Sequence, residues 1–91
     1  MAVLIEIPEE LTRYADGATE VTVTGQTVEA ALAALFARFP ALQSRVTSER
    51  GDFHPWIPVF LNGRKVLAQC ASETPVADGD RIEIAVLASG G

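Results

Sequence analysis

The sequence predicts an α+β fold in which a mixed sheet of four to five strands packs on one main helix. Runs with strand periodicity lie near both ends of the chain, a long apolar stripe with helical periodicity lies between them, and an Asn-Gly dipeptide marks a tight hairpin in the second half. A sheet with one apolar face and a helix with one apolar stripe must cover each other. The 91 residues suffice for a single domain over 1–91 that folds around one core without disulfide or metal support.

The first two strands are predicted near the N-terminus. Residues 2–7 form a short apolar run rich in β-branched side chains, and Pro8 closes it. Residues 9–18 form a connection that contains the turn dipeptide Asp16-Gly17. The segment 20–24 alternates polar and apolar residues, as a half-buried strand does. We therefore expect a β-hairpin to open the fold.

The main helix follows directly. Thr27 is the predicted N-cap, because its hydroxyl can accept a hydrogen bond from an amide of the first helical turn. Apolar residues then recur at spacings of three and four, which places them on one stripe of a helix. The stripe consists of Val28, Ala31, Leu32, Leu35, Phe36 and Phe39. Pro40 is expected to end this helix, and a second short helical turn is possible over 41–46.

A second hairpin is predicted after a polar loop at 47–55. Residues 57–61 suit a strand, Asn62-Gly63 is the dipeptide favoured in a type I′ turn, and 65–67 lead back as a short partner strand. Within the loop, the segment 53–56 is expected to anchor the loop against the domain.

The final strand is predicted over 81–87, where Ile82, Ile84 and Val86 share one face. An irregular segment at 68–77 and a turn at 78–80 precede it.

Composition and charge exclude several classes of partner. Twelve acidic against seven basic residues give a net charge of −5, which repels phosphate backbones and anionic lipid head groups. We therefore expect no nucleic acid and no membrane as partner, and instead a basic protein groove. The first residues lack a signal-peptide pattern, no apolar run approaches the roughly 20 residues of a membrane span, and Cys70 is unpaired. These features predict a cytoplasmic protein.

The order of several motifs resembles the ubiquitin-like sulfur carriers, the small β-grasp proteins of molybdopterin, thiamine and cysteine biosynthesis. The matching pieces are Leu11-Thr-Arg-Tyr-Ala-Asp-Gly17, Thr27-Val-Glu-Ala-Ala-Leu-Ala-Ala-Leu35, Val59-Phe-Leu-Asn-Gly63, Asp78-Gly-Asp-Arg-Ile-Glu-Ile84 and the closing Gly90-Gly91. The resemblance spans nearly the whole chain. It implies a β-grasp fold and a carrier, or the small subunit of a synthase complex, rather than an enzyme.

The resemblance also implies a chemistry for Gly91. An E1-like enzyme would use ATP and magnesium to convert the Gly91 carboxylate into an acyl-adenylate, and a persulfide or sulfide would displace AMP to leave a thiocarboxylate. A sulfur-accepting synthase subunit or enzyme would then receive the sulfur. Such a carrier holds no permanent cofactor. The molybdopterin type is favoured, and the cysteine type, whose members also have a longer loop before the third strand, comes next.

The last four residues suit entry into a narrow active site. Gly90 and Gly91 carry no side chain, and Ala88 and Ser89 carry small ones, so the backbone can approach a partner closely. Fully extended, a flexible tail over 88–91 reaches about 13 Å at roughly 3.3 Å per residue. Ordering it costs about 4–8 kcal/mol, so a docking surface elsewhere on the body must offset that cost.

A candidate docking face follows from alternation. If the odd-numbered residues of 57–61 face the helix, Phe60 lies on the outer face of the sheet, and Ala85 and Leu87 of the last strand lie there too. The residues predicted to rim this patch are Arg64, Lys65 and Arg81.

Other polar residues predict no catalytic or metal site. Cys70 and His54 fall in irregular segments without a nucleophile–base motif, and together they are too few for tetrahedral zinc without several carboxylates. The acidic turn at 78–80 lacks the ligand spacing of a calcium loop.

Two functional alternatives stay open. A ubiquitin-like modifier would use the same Gly91 adenylate but deliver it to a lysine amine, and a β-grasp interaction module would have an inert tail.

Overall fold

The architecture is a five-stranded mixed sheet with one long helix packed across one of its faces. The structure is a computed structural model that describes residues 2–87. The strands are β1 (Ala2–Glu6), β2 (Glu20–Thr24), β3 (Val59–Leu61), β4 (Arg64–Val66) and β5 (Arg81–Ile84). Their spatial order is β2-β1-β5-β3-β4. The predicted mixed sheet on one main helix is confirmed.

The last strand occupies the centre of the sheet. β5 pairs in parallel with β1 and antiparallel with β3, while β2 and β4 pair antiparallel at the two outer edges. Alternate residues of the central strands point into the core, where Val3, Ile5, Val59, Ile82 and Ile84 are almost completely buried. Each of these positions follows the two-residue period of a strand with one apolar face.

The main helix, α1 (Val28–Arg38), begins as predicted. The Thr27 hydroxyl accepts a hydrogen bond from the Ala30 N–H at 3.1 Å, which satisfies one of the unpaired amides of the first turn. Five of the six predicted stripe residues are buried in the core, and the sixth, Phe39, is partly buried at the C-terminal end of the helix.

Pro40 does more than end α1. It is the first residue of a second helix, α2 (Pro40–Val46), where the missing N–H of proline costs no hydrogen bond. Leu42 and Val46 of α2 are completely buried. The possible helical turn at 41–46 is therefore a packed helix of two turns.

The third strand is shorter than the predicted 57–61. Pro58 has no N–H to donate, so regular pairing begins only at Val59. Its partner β4 is shifted by one residue from the predicted 65–67. Between them, Asn62 and Gly63 have φ values of 50° and 87°, the positive values that a type I′ turn requires, so the predicted turn is confirmed.

Both segments predicted as irregular connections contain 3-10 helices. These lie at Glu9–Tyr14 and Ala68–Glu73, and each buries one apolar residue, Leu11 and Ala71, against the core. Within residues 2–87, no helix is both long and apolar enough to cross a membrane.

Candidate docking face and C-terminal segment

The predicted reactive residue, Gly91, and the predicted threading residues Ala88, Ser89 and Gly90 lie outside the described residues. The part of the site that can be described is the outer face of the sheet, which leads to them. The centre of that face is β5 and its continuation toward Leu87.

Backbone hydrogen bonds continue along this chain segment beyond the end of β5. The Ala85 N–H donates to the Pro58 carbonyl at 3.0 Å, and the Leu87 N–H donates to the Trp56 carbonyl at 2.9 Å. Because Pro58 cannot return a hydrogen bond, the ladder here is one-sided. The segment is nevertheless held in line with the central strand as far as Leu87.

Phe60 lies on the outer face, as predicted. It pairs with Glu83 of β5 and Lys65 of β4, and it is half-buried but outside the core cluster. The register places Ala85 and Leu87 on the same side as Glu83, two and four residues further along. Three predicted docking residues are therefore brought to one face.

Trp56 belongs to the outer face as well, although the sequence predicted that it anchors the loop. Its side chain is 51% exposed. Leu87, whose N–H donates to the Trp56 carbonyl, is 53% exposed. The anchoring is done by Phe53 instead, which packs against the core and bridges to Thr47. We call Trp56, Phe60, Ala85 and Leu87 the apolar patch.

Two features hold and extend this patch. The imidazole of His54 stacks on the Trp56 ring with a centroid distance of 5.2 Å, and its Nε2 lies 3.2 Å from the Ser44 carbonyl oxygen of α2. Beside the patch, Leu67 is 47% exposed and lines a surface depression together with Pro58. The structure shows that Val66 is buried, so its neighbour Leu67 points to the outer side; the sequence alone indicates no orientation for these two residues.

The predicted basic rim is only partly on this face. Lys65 is exposed and pairs with Phe60. Arg64 is also exposed, but it pairs with Leu61, whose side chain packs against the core, so the register assigns Arg64 to the other side of the sheet. Arg81 lies on the outer face, where its Nη1 is 2.9 Å from Glu6 Oε2.

A row of glutamates crosses the outer face next to the patch. Glu20 pairs with Glu6, Glu6 with Glu83, and Glu83 with Phe60. Arg81 compensates part of this charge, since its Nη1 also lies 3.9 Å from Glu20 Oε2. The outer face is thus acidic on the β1–β2 side and carries the Lys65 amine on the β4 side.

The turn that precedes β5 is fixed to its neighbours. Asp80 Oδ2 accepts a hydrogen bond from the Ala77 N–H at 2.8 Å, and this bond, together with one from the Asn62 side chain, lowers the pKa of Asp80. Asn62 Oδ1 in turn accepts the Arg81 N–H at 3.0 Å. These bonds set the start of the strand that leads to Leu87.

The described residues offer no metal cluster. Within 2–87, no three His, Cys, Asp or Glu side chains are grouped so that they could hold a metal ion. Cys70 is exposed on the second 3-10 helix, while His54 contacts Ser44 and Trp56.

Comparisons with known proteins agree with this geometry. The ThiS family model matches residues 5–91. The sulfur carrier protein CysO of Mycobacterium tuberculosis strain H37Rv is 28% identical over 93 residues, an alignment that covers 100% of both chains. The solved structure of the Amycolatopsis orientalis BexX/CysO complex contains a chain that is 27% identical, with a TM-score of 0.83 and coverage of 98% of this chain and 99% of that one. SAMP1 from Haloferax volcanii is 31% identical, with a TM-score of 0.83 and complete coverage of both chains.

These likenesses confirm both the resemblance seen in the sequence and the β-grasp fold that it implies. The family consists of carrier proteins rather than enzymes, which agrees with the expectation for this chain. The chain belongs to the ThiS family of ubiquitin-like sulfur carriers.

Proposed function

We propose that this protein carries sulfur as a thiocarboxylate on Gly91, formed after an E1-like enzyme has adenylated the Gly91 carboxylate. The observation that carries the proposal is that the family match runs through Gly90-Gly91. The complete coverage of both chains in the CysO alignment agrees with this assignment.

The chemistry requires activation because the carbon of a free carboxylate is electron-rich and oxide is a poor leaving group. In the proposed first step, a Gly91 carboxylate oxygen attacks the α-phosphorus of ATP and pyrophosphate leaves. A sulfide or persulfide sulfur then attacks the acyl carbon and AMP leaves; reductive cleavage by a thiol completes the persulfide route. ATP and magnesium belong to the activating enzyme in this scheme, and the carrier holds neither permanently.

The central position of β5 supports this role. Neighbouring strands hold it on both sides, and the backbone bonds to Pro58 and Trp56 continue that support to Leu87. Only the four residues 88–91 then have to be ordered in a partner's active site, at an entropic cost of about 4–8 kcal/mol. We propose that these residues act as a flexible tail.

The apolar patch is proposed as the surface that offsets this cost. Its aromatic side chains, Trp56 and Phe60, are of the type that most often dominates binding energy at protein interfaces. The neighbouring row of glutamates favours a partner whose apolar centre is bordered by basic residues on the β1–β2 side. We assign partner binding to Phe60, Ala85, Leu87 and Arg81 as predicted, and we add Trp56. Arg64 is left out of the docking surface, because the register assigns it to the other side of the sheet.

We further propose the cysteine type of sulfur delivery ahead of the molybdopterin type favoured from the sequence, because the full-length relatives with a stated carrier role are CysO proteins. The sulfur acceptor would be a separate biosynthetic enzyme, and we place the protein in the cytoplasm, where thiols stay reduced.

Intact-mass measurement tests the proposal directly. The full chain is incubated with a cognate E1-like enzyme, ATP, magnesium and sulfide. Replacement of one oxygen by sulfur adds about 16 Da, and fragmentation should place this gain on Gly91. A variant lacking Gly91 is the matched control and should show no gain at an unchanged thermal transition. A mass gain that persists in this variant, or that maps elsewhere, would contradict the proposal.

The likeness to SAMP1 supports a second candidate function. Two solved relatives of that name are called small archaeal modifier proteins, and the Haloferax SAMP1 chain is 31% identical over its whole length. A modifier would transfer the same Gly91 acyl group to lysine amines of other proteins. In the mass experiment, a series of lysine conjugates without a thiocarboxylate would favour it.

A further inference from the structure

Lys65 is the only lysine in the sequence. If the activated Gly91 of one copy meets another copy, Lys65 is therefore the only side-chain amine that can form an isopeptide bond on this chain. Its place in the fold decides whether it is accessible.

Lys65 lies on an exposed edge of the sheet. β4 is an outer strand, Lys65 is its middle residue, and the side chain is exposed on the outer face opposite Phe60. Among residues 2–87, ion pairs within 4.0 Å involve Arg81 with Glu6 and Glu20, and none involves Lys65. Within 2–87, therefore, no carboxylate forms an ion pair with its amine.

The hairpin geometry also turns the backbone of Lys65 toward the open edge. In a two-residue hairpin the residues that flank the turn, here Leu61 and Arg64, exchange hydrogen bonds, and the next pair, Phe60 and Lys65, does not. The N–H and C=O of Lys65 therefore point away from β3. An extended peptide can pair with such an edge as an added strand.

The C-terminal segment of a second copy has the composition to do so. Ala88-Ser89-Gly90-Gly91 has only small side chains, so no bulky group keeps its backbone from β4. We propose that Lys65 is the acceptor site for the activated Gly91 carboxyl group of a second copy of this chain, giving a pair joined by a Gly91–Lys65 isopeptide bond. This inference rests on the proposed adenylation of Gly91.

The step is balanced without a further reagent. The deprotonated ε-amine nitrogen attacks the acyl carbon of the adenylate, the C–N bond forms, and the C–O bond to AMP breaks. The second amine proton leaves to water. The ATP consumed is the one used for activation.

The position of Lys65 gives this link a consequence. Since Lys65 is directly opposite Phe60, a second copy attached there covers part of the apolar patch of the acceptor. The acceptor copy should then be activated more slowly than the free chain, and linkage competes with sulfur loading.

The test uses the full chain with its E1-like enzyme, ATP and magnesium, and no sulfur source. ATP–pyrophosphate exchange reports adenylation, and intact mass reports a species of two chains less one water. We expect this species in the wild type. Trypsin cleaves the donor chain after Arg81, so the digest should contain a Lys65 peptide that carries residues 82–91 of the donor. The linked species should be absent in Lys65→Arg. Yields of the variants are compared under conditions that give equal ATP–pyrophosphate exchange, so that adenylation is the same in each.

The matched control is the double variant Arg64→Lys with Lys65→Arg. It keeps composition and charge but moves the amine by one residue to the other side of the hairpin, and we expect it to form no linked pair. Exchange without a linked pair in the wild type would overturn the assignment of Lys65 and leave the adenylation proposal intact. Linkage through the α-amine, or an equal yield from the double variant, would also overturn it. No exchange would overturn both proposals.

Discussion

The N–H of Leu87 donates a 2.9 Å hydrogen bond to the carbonyl oxygen of Trp56. This bond ties the last described residue of the chain to the loop that precedes β3. It also places two half-exposed apolar residues together at the point where residues 88–91 begin. The proposed docking surface therefore includes Leu87, the residue that directly precedes the proposed reactive segment 88–91 in the chain.

Replacing Phe60 with glutamate should weaken docking to the activating enzyme without unfolding the domain. Phe60 lies outside the core, and loss of an interface hot spot costs at least about 2 kcal/mol, roughly thirtyfold in Kd. Titration calorimetry measures the affinity and thermal unfolding measures the stability. Ala33→Glu, at an exposed position of α1 on the opposite side of the sheet, is the matched control and should bind like the wild type. Equal binding of both variants would argue against the apolar patch.

Reversing a charge in the glutamate row should reduce the salt dependence of docking. Glu83→Lys brings a positive charge next to Phe60 and opposes a basic partner rim. We expect slower association at low salt and a smaller difference between low and high salt, because screening removes an attraction that the variant lacks. Stopped-flow association rates across a salt series measure this. Glu73→Lys, at an exposed position of the second 3-10 helix, which packs against α1 on the other side of the sheet, changes net charge equally and should have a weaker effect.

Replacing Gly25 with alanine should destabilise the fold. A Cβ atom at this position would lie 2.7 Å from the backbone nitrogen of Ala31 in α1, and backbone cannot move aside cheaply. We expect a loss of about 1–3 kcal/mol, as for other overpacked sites. Urea unfolding measures it, with the exposed neighbour Thr24→Ala as the control. Wild-type stability of Gly25→Ala would show that α1 can shift from β2.

Removing the cap of α1 should have a smaller effect. Thr27→Ala loses the hydroxyl that accepts the Ala30 N–H, at a cost of about 0.5–2 kcal/mol. Thr27→Ser keeps the hydroxyl and should retain most of the stability in the same urea experiment. If serine and alanine are equally destabilising, the methyl group rather than the hydroxyl of Thr27 matters.

Acid should remove a contribution of Asp80 to stability. Its pKa in the folded state is lowered below the ordinary 3.8, first by the Ala77 N–H and then by the Asn62 side chain, so the folded state binds protons less readily than the unfolded state. The contribution is present above pH 3.8 and is lost as the pH falls through the lower folded value. Urea unfolding from pH 6 to pH 2 should show that the wild type has a higher free energy of unfolding than Asp80→Asn, and that this difference shrinks as the pH falls. A difference in the free energy of unfolding that does not change with pH would contradict this prediction.

Alternation and capping predicted the local elements well. The polar–apolar alternation at 20–24 gave the bounds of β2, and Thr27 marked the start of α1. Both signals depend on residues a few positions apart, so they can be read directly along the chain. The 3-10 helices were not predicted, because each is too short for a helical stripe and is stabilised by burying a single residue.

The outer face was predicted only in part, because its composition depends on strand register. Alternation predicted that Phe60, Ala85 and Leu87 share a face, and the pairing of β3 with β5 agrees. It could not predict that Glu20, Glu6 and Glu83 form one row, since that requires the order and offset of three strands distant in sequence. For the same reason Arg64 was grouped with Lys65, although the hairpin assigns them to opposite sides.

The central place of β5 links completion of the domain to use of its end. Until the ribosome has released residues 81–87, β1 and β3 have no common neighbour and the sheet consists of two separate strand pairs. A chain truncated before this strand cannot close its core around Ile82 and Ile84. An activating enzyme that recognises the outer face, as proposed, would therefore bind only chains in which β5 has joined the two strand pairs.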